Sequence, residues 1–356
     1  MIRGPLAFYS RRADAAYRLR QVPADPLQIR RGPGGYVRGM VSAGRNAQGT
    51  PVPEPEGFGS GLVDDAARRD AGLPDFDWSV LPEGVVRGEF QAPSGTLATI
   101  ASGDPEHTRV LLIPGATGSK EDFVLMLPEL AAAGYFVLSC DIAGQYESAQ
   151  AGPENLDPPR PHYDYELFRD DLIAMLDAGE GDAHVVGYSF AATVAQLAFQ
   201  QRPEKFRSLT LISCPPEPGQ CFRGVRFIGW FSGWVNGRVG TALMIWGIRS
   251  NVARVAPKRL RFVKSRFAYT RRASVVDIIG LMQHTPDLRQ LLAAAALPKL
   301  VAVGEHDLWP LALHRRFAQS IGAKIAVYRG GHSPSETSPY QISRDLIALF
   351  DGPAAA

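Results

Sequence analysis

From Trp78 onward, short apolar runs rich in β-branched residues alternate with longer stretches of helical period. The runs predict strands at 85–91, 97–102, 109–113, 136–141, 184–188, 208–213, 299–303 and 324–329. Two of them, Val110-Leu111-Leu112-Ile113 and Leu209-Thr210-Leu211-Ile212, are almost continuously apolar, as expected of strands covered on both faces. Helical spacing places helices over 123–133, 165–178, 191–201, 311–320 and 341–350. Strands alternating with helices imply an α/β fold, an eight-stranded and mostly parallel sheet with flanking helices.

Two segments break this alternation. Residues 1–80 are rich in Gly, Pro and Arg, with no sustained apolar period and at most a short helix near 62–71. They read as an extension laid over the surface or partly disordered. The second break is the long segment 215–297, which interrupts the pattern after the sixth strand as an insertion.

Composition narrows the class. A hydrophobic content of 45% with 21% charged residues is that of a soluble globular protein, and no apolar run approaches the length of a membrane span. The first twenty residues hold five arginines but no apolar h-region, and Asp14 and Asp25 argue against a transit peptide. Three cysteines, Cys140, Cys214 and Cys221, show no metal-ligand spacing, so the expectation is a reducing cytoplasm and no metal. A net charge of +2 gives no reason to expect a nucleic-acid partner.

The chemistry concentrates at strand ends. His184-Val185-Val186-Gly187-Tyr188-Ser189-Phe190-Ala191-Ala192 passes from an apolar strand into an Ala-rich helix with no loop between. So sharp a reversal needs small residues two positions either side of its centre, and Gly187 and Ala191 supply them. Ser189 then stands exposed at a helix N-terminus, the placement of a nucleophile; its competing role is an ordinary helix cap. A serine hydroxyl needs a base and the base an orienting acid. The loop after the seventh strand offers Asp307, with Glu305 as the competitor nearer the strand, and the Gly-rich loop after the eighth offers His332. The histidines at 107, 162, 184, 284, 306 and 314 read as ordinary. The third strand ends in Pro114-Gly115-Ala116-Thr117-Gly118, where the N–H of Ala116 would join that of Phe190 as a two-donor oxyanion hole; the alternative is a plain strand-to-helix turn.

At these places, and at Asp141-Ile142-Ala143-Gly144-Gln145-Tyr146-Glu147-Ser148, the chain resembles the α/β-hydrolases over about 85–350, in particular esterase- and thioesterase-like serine hydrolases. The family usually has His-Gly where this chain has Pro114-Gly115, often has arginine in place of Ala143, and usually has Gly in place of Ala191. The resemblance implies an eight-stranded core with its second strand antiparallel, a helical cap inserted after strand six, and neither metal nor organic cofactor. Residues 81–214 and 298–356 would form the core and 215–297 the cap.

From Pro218 to Val276 the insertion holds twelve Lys/Arg and no Asp or Glu, together with Trp230, Trp234 and Trp246 as possible substrate contacts. Between 258 and 267, Leu260, Val263 and Phe267 share one helical face with cations around it. Such a cap would rest on an anionic membrane surface, grip an anionic acyl carrier, or simply present a solvated basic face over an apolar acyl pocket. The leading expectation is hydrolysis of a small-molecule carboxylic ester or thioester through an acyl-serine. The alternatives are C–C bond cleavage, lyase or acyl-transfer chemistry with the same triad, and a non-catalytic binding protein on the same fold.

Overall fold

The computed structural model describes Tyr17–Arg18, residues 64–222 and residues 255–352. The expected sheet is present, with strands in the order β1-β2-β3-β5-β4-β6-β7-β8-β9. Eight of these are the predicted ones: β2 (Val86–Ala92), β3 (Gly95–Ser102), β4 (Arg109–Ile113), β5 (Phe136–Cys140), β6 (Ala183–Tyr188), β7 (Phe206–Ile212), β8 (Lys299–Gly304) and β9 (Lys324–Tyr328). The ninth, β1 (Tyr17–Arg18), pairs antiparallel with β2 at one edge, in a region expected to hold only short helices. β3 runs antiparallel to both neighbours, and β4 to β9 are mutually parallel.

Near-continuous apolar strands do bury both faces. Leu111 and Ile113 of β4 join one core, while Val110 and Leu112 join the other; β8 divides likewise into Val301 and Val303 against Leu300 and Ala302. Each fully buried aliphatic side chain of this kind contributes about 1.5–3 kcal/mol. The first core lies under α3 (Tyr165–Asp177) and α4 (Phe190–Gln201), the second under α2 (Met126–Ala132) and a C-terminal helix, Pro339–Phe350. Because β4 lies between β5 and β6, the chain reverses its winding there. The C-terminal ends of β4 and β6 lie at that reversal, the place where open α/β sheets build their sites.

Part of the N-terminal segment is built into the core. Asp64 caps α1 (Asp65–Ala71) by accepting the Ala66 N–H at 3.2 Å, so the helix starts later than its composition suggests. Buried Asp70 accepts from the backbone N–H groups of Tyr340 and Gln341, at 3.0 and 3.1 Å, and so caps the C-terminal helix in turn.

The helix expected over 123–133 is divided into a 3₁₀ turn, Lys120–Phe123, and α2. Its start is pulled inward by charge: the Lys120 N–H and Nζ both donate to Asp141, at 2.8 and 3.0 Å, and Asp122 accepts the Ser119 N–H at 3.2 Å.

Between β7 and β8 lie α5 (Pro257–Tyr269), α6 (Arg272–Met282) and α7 (Arg289–Ala294). The buried face of α5 differs from the expected one. Arg259, Phe262 and Arg266 turn inward, whereas Leu260, Val263 and Phe267 are only half-buried. The cause is an acidic floor. Arg259 Nη2 donates to Asp122 Oδ1 at 2.6 Å and its Nε to Glu336 at 2.7 Å, and Arg266 donates to Asp122 as well. The Arg259 guanidinium also lies 4.2 Å over the Trp78 ring. Trp230, Trp234 and Trp246 fall outside the described residues. Among those described, no helix is long and apolar enough to cross a membrane.

Candidate active site

β6 passes directly into α4, and Ser189 at the junction has φ 53° and ψ −116°. A non-glycine residue in such a region carries of order 1–3 kcal/mol of strain, which the surroundings must offset. Two backbone bonds hold it: Ser189 N–H to the Ile212 carbonyl at 2.8 Å, and Ala192 N–H to the Ser189 carbonyl at 3.0 Å. Gly187 is a steric requirement, since a Cβ there would lie 2.6 Å from the Ala191 carbonyl oxygen. Ser189 does not cap the helix, for its side chain bonds none of the first amides of α4. Its Oγ lies 3.0 Å from His332 Nε2 instead.

The His332 loop is tied to the Asp307 loop by backbone. Glu305 N–H donates to the Tyr328 carbonyl at 2.8 Å and His306 N–H to the Gly330 carbonyl at 2.9 Å. The approach is so close that a Cβ on Gly304 would meet the Gly331 oxygen at 2.0 Å. Next along the chain, the Ser333 hydroxyl pairs with that of Tyr188 at 2.8 Å, anchoring the histidine loop to the end of β6. Trp309 meets the imidazole edge-on at 5.6 Å.

His332 Nδ1 faces Asp307, at 3.2 Å from Oδ1 and 3.4 Å from Oδ2. Oδ1 also accepts the Trp309 N–H at 3.3 Å. Burial alone would push the Asp307 carboxyl up, but His332 and His314 beside it hold the group below the usual carboxylate range, and it stays ionised. Glu305, the competing acid, is exposed and sits 3.6 Å from the neighbouring His306 ring.

The loop after β4 runs beneath the serine. A Cβ on Gly115 would lie 2.9 Å from Ser189 Cβ, so only glycine lets the backbone approach this closely. Among the described groups, neither the Ala116 N–H nor the Phe190 N–H has an acceptor. The loop is braced from the 141–148 stretch: Gln145 Oε1 accepts the Thr117 N–H at 3.0 Å while its Nε2 donates to Ser274 at 2.6 Å.

The remaining histidines divide. His107, His162, His284 and His306 are exposed. His184 is buried and stacked on Phe350 at 3.8 Å, with Ser208 Oγ 2.8 Å from its Nδ1, and burial pushes its pKa down to about 3. His314 lies elsewhere. It is fully buried on α8 (Leu311–Ser320), with Nε2 3.6 Å from Asp307 Oδ1. The helical period puts it on the same face as Phe317 and Ala318, which marked it as inward-facing but not as a neighbour of Asp307.

Residues 110–344 match the alpha/beta hydrolase family. Over 120 residues the chain is 33% identical to rhodomycin D methylesterase DauP of Streptomyces sp. (strain C5), a match spanning 33% of this chain and 38% of that relative. Its fold is similar to that of a hydrolase from Pseudomonas aeruginosa PA01 (TM-score 0.60, 20% identity), over 75% of this chain and 98% of that one. It is also similar to an esterase from Thermogutta terrifontis (TM-score 0.58, 20% identity), over 73% and 96% of the two chains. A thioesterase domain from the curacin biosynthetic pathway gives a TM-score of 0.54 at 16% identity, over 75% and 99%. At such identities the structural likenesses speak for the fold alone. The family match covers well over half of the chain, and this protein therefore belongs to the alpha/beta hydrolase family.

Proposed function

We propose that this hydrolase cleaves a carboxylic ester through an acyl-serine intermediate on Ser189. The observation that carries the reading is the line from Ser189 Oγ through His332 to the ionised, buried Asp307. In the proposed reaction Oγ attacks the ester carbonyl carbon as its proton passes to His332 Nε2. The carbonyl π pair moves onto oxygen, where the Ala116 and Phe190 N–H groups receive it; one such donor is worth about 2.7–4 kcal/mol of transition-state stabilisation. Asp307 faces the imidazolium that forms. Collapse breaks the bond to the leaving oxygen, which takes the proton back from Nε2. Water then attacks the acyl-serine by the same proton route, releasing the acid and restoring the serine.

An ester is favoured over a thioester because the relative matched in sequence is a methylesterase, whereas the thioesterase likeness is one of fold. We read 215–297 as the cap over this site. Its basic run speaks less for an anionic carrier or membrane than its composition suggested. Arg259, Arg266 and Arg271 are each paired with a carboxylate, leaving Lys258, Arg261, Lys264 and Arg272 exposed among the described residues. A salt-independent KM on a neutral ester is the corresponding expectation.

The test is Ser189→Ala. It is expected to lower hydrolysis of a short p-nitrophenyl ester by about 10⁴–10⁶-fold and to abolish labelling by a fluorophosphonate. A folded variant that labels as well as the parent removes the assignment. Mass spectrometry of products formed with added alcohols separates hydrolysis from acyl transfer.

A further inference from the structure

We infer that His314 is a positioning residue of the Ser189 site, donating from Nε2 to Asp307 Oδ1, the carboxylate oxygen that also faces His332. The inference rests on the acyl-serine reading and adds a residue to it. His314 is completely buried, and neither ring nitrogen has a hydrogen-bond partner at ordinary distance among the described residues. A buried polar group left unpaired is costly, so an acceptor close to it matters. Asp307 Oδ1 lies 3.6 Å from Nε2. The same oxygen faces His332 Nδ1 at 3.2 Å and accepts the Trp309 N–H at 3.3 Å. Three nitrogens thus stand within 3.6 Å of Oδ1, and holding Oδ1 in place holds the His332 ring that faces it.

The other titratable groups whose fields meet this carboxylate are Cys214 and Tyr188, and burial pushes both upward, so they stay neutral. The Asp307 charge is therefore shared between His332 and His314. Trp309 enforces the geometry from the side, its ring edge-on to both imidazoles, 6.1 Å from that of His314 and 5.6 Å from that of His332. Donation from Nε2 requires a proton on that nitrogen. It fixes Oδ1 in place, and with it the Nδ1 side of the His332 ring.

The experiment compares kcat and KM of parent, His314→Leu, His314→Gln and Ser189→Ala on a p-nitrophenyl ester. Gln places an amide N–H close to the position of Nε2, whereas Leu keeps volume without a donor. His314→Leu is expected to lower kcat about tenfold with little change in KM, and His314→Gln is expected to restore kcat. In the parent, nitrogen-detected NMR should report a proton on Nε2 of His314, a readout that needs no variant to fold. A parental kcat in His314→Leu, equal losses in Leu and Gln, or an Nε2 without a proton would each overturn the inference. Full activity in Ser189→Ala overturns the acyl-serine reading instead, so the two failures are distinguishable.

Discussion

Replacing Asp122 by alanine tests how the helix α5 is held to the sheet. The Asp122 side chain is 1% exposed and lies between Arg259 at 4% and Arg266 at 8%. Burial raises the carboxyl's pKa, but the two guanidinium groups outweigh it and hold the group below its usual range. Removing one partner of a buried ion cluster typically costs about 3–5 kcal/mol, because the remaining charge is left without compensation. The partners here are unequal. Arg259 keeps Glu336, whereas among the described residues the hydrogen bond left to Arg266 is that to the Ser119 hydroxyl at 3.3 Å. Most of the loss therefore resides on Arg266, and Asp122→Ala/Arg266→Met should recover about 2 kcal/mol of it. Urea unfolding followed by tryptophan fluorescence measures both differences, and at about 2–4 °C per kcal/mol a thermal melt shows them too. A loss below about 1 kcal/mol in Asp122→Ala, or a double variant less stable than the single one, would refute the argument.

Gly115→Ala places a methyl group 2.9 Å from Ser189 Cβ, so the loop bearing Ala116 must shift by a few tenths of an ångström; kcat is expected to fall about tenfold, more than stability suffers, and an unchanged kcat counts against the loop's role. Stability should respond to pH through two buried groups of opposite sign. His184 is held at about 3, below its unfolded value, so the stability it contributes is complete above about 6.5 and is lost as pH falls through that window. Burial raises Asp171 to about 7 despite two bonds from Ser94, so its contribution is complete below about 3.9 and is lost as pH rises through 7. The two slopes, each at most about 1.4 kcal/mol per pH unit, oppose one another between pH 4 and 6.5. Denaturation across that range should find His184→Asn gaining stability as pH falls and Asp171→Asn losing it; parallel profiles would remove the explanation.

The strands, the order Ser189, Asp307, His332 and the elbow at Gly187 were legible without coordinates, because each depends on neighbours close in sequence. An apolar run buries itself wherever it lies in a sheet, and a serine between a strand and a helix is forced into its turn by residues two positions away. The inward face of α5 was not legible. Amphipathic spacing assigns charge to solvent, and Arg259 turns inward because Asp122, 137 residues away, and Glu336, 77 residues away, lie beneath it. His314 escaped for the same reason: its period marked it as buried, while its neighbour was set by the packing of α8 against the loop after β8. The cap of the C-terminal helix by Asp70 and the bracing of Thr117 by Gln145 also join segments that are distant in the chain. Local pattern thus determined which elements form and where the reactive side chains stand along them. Tertiary structure decided which charges lie opposite one another, since burial makes a charge seek its partner in space and not along the sequence.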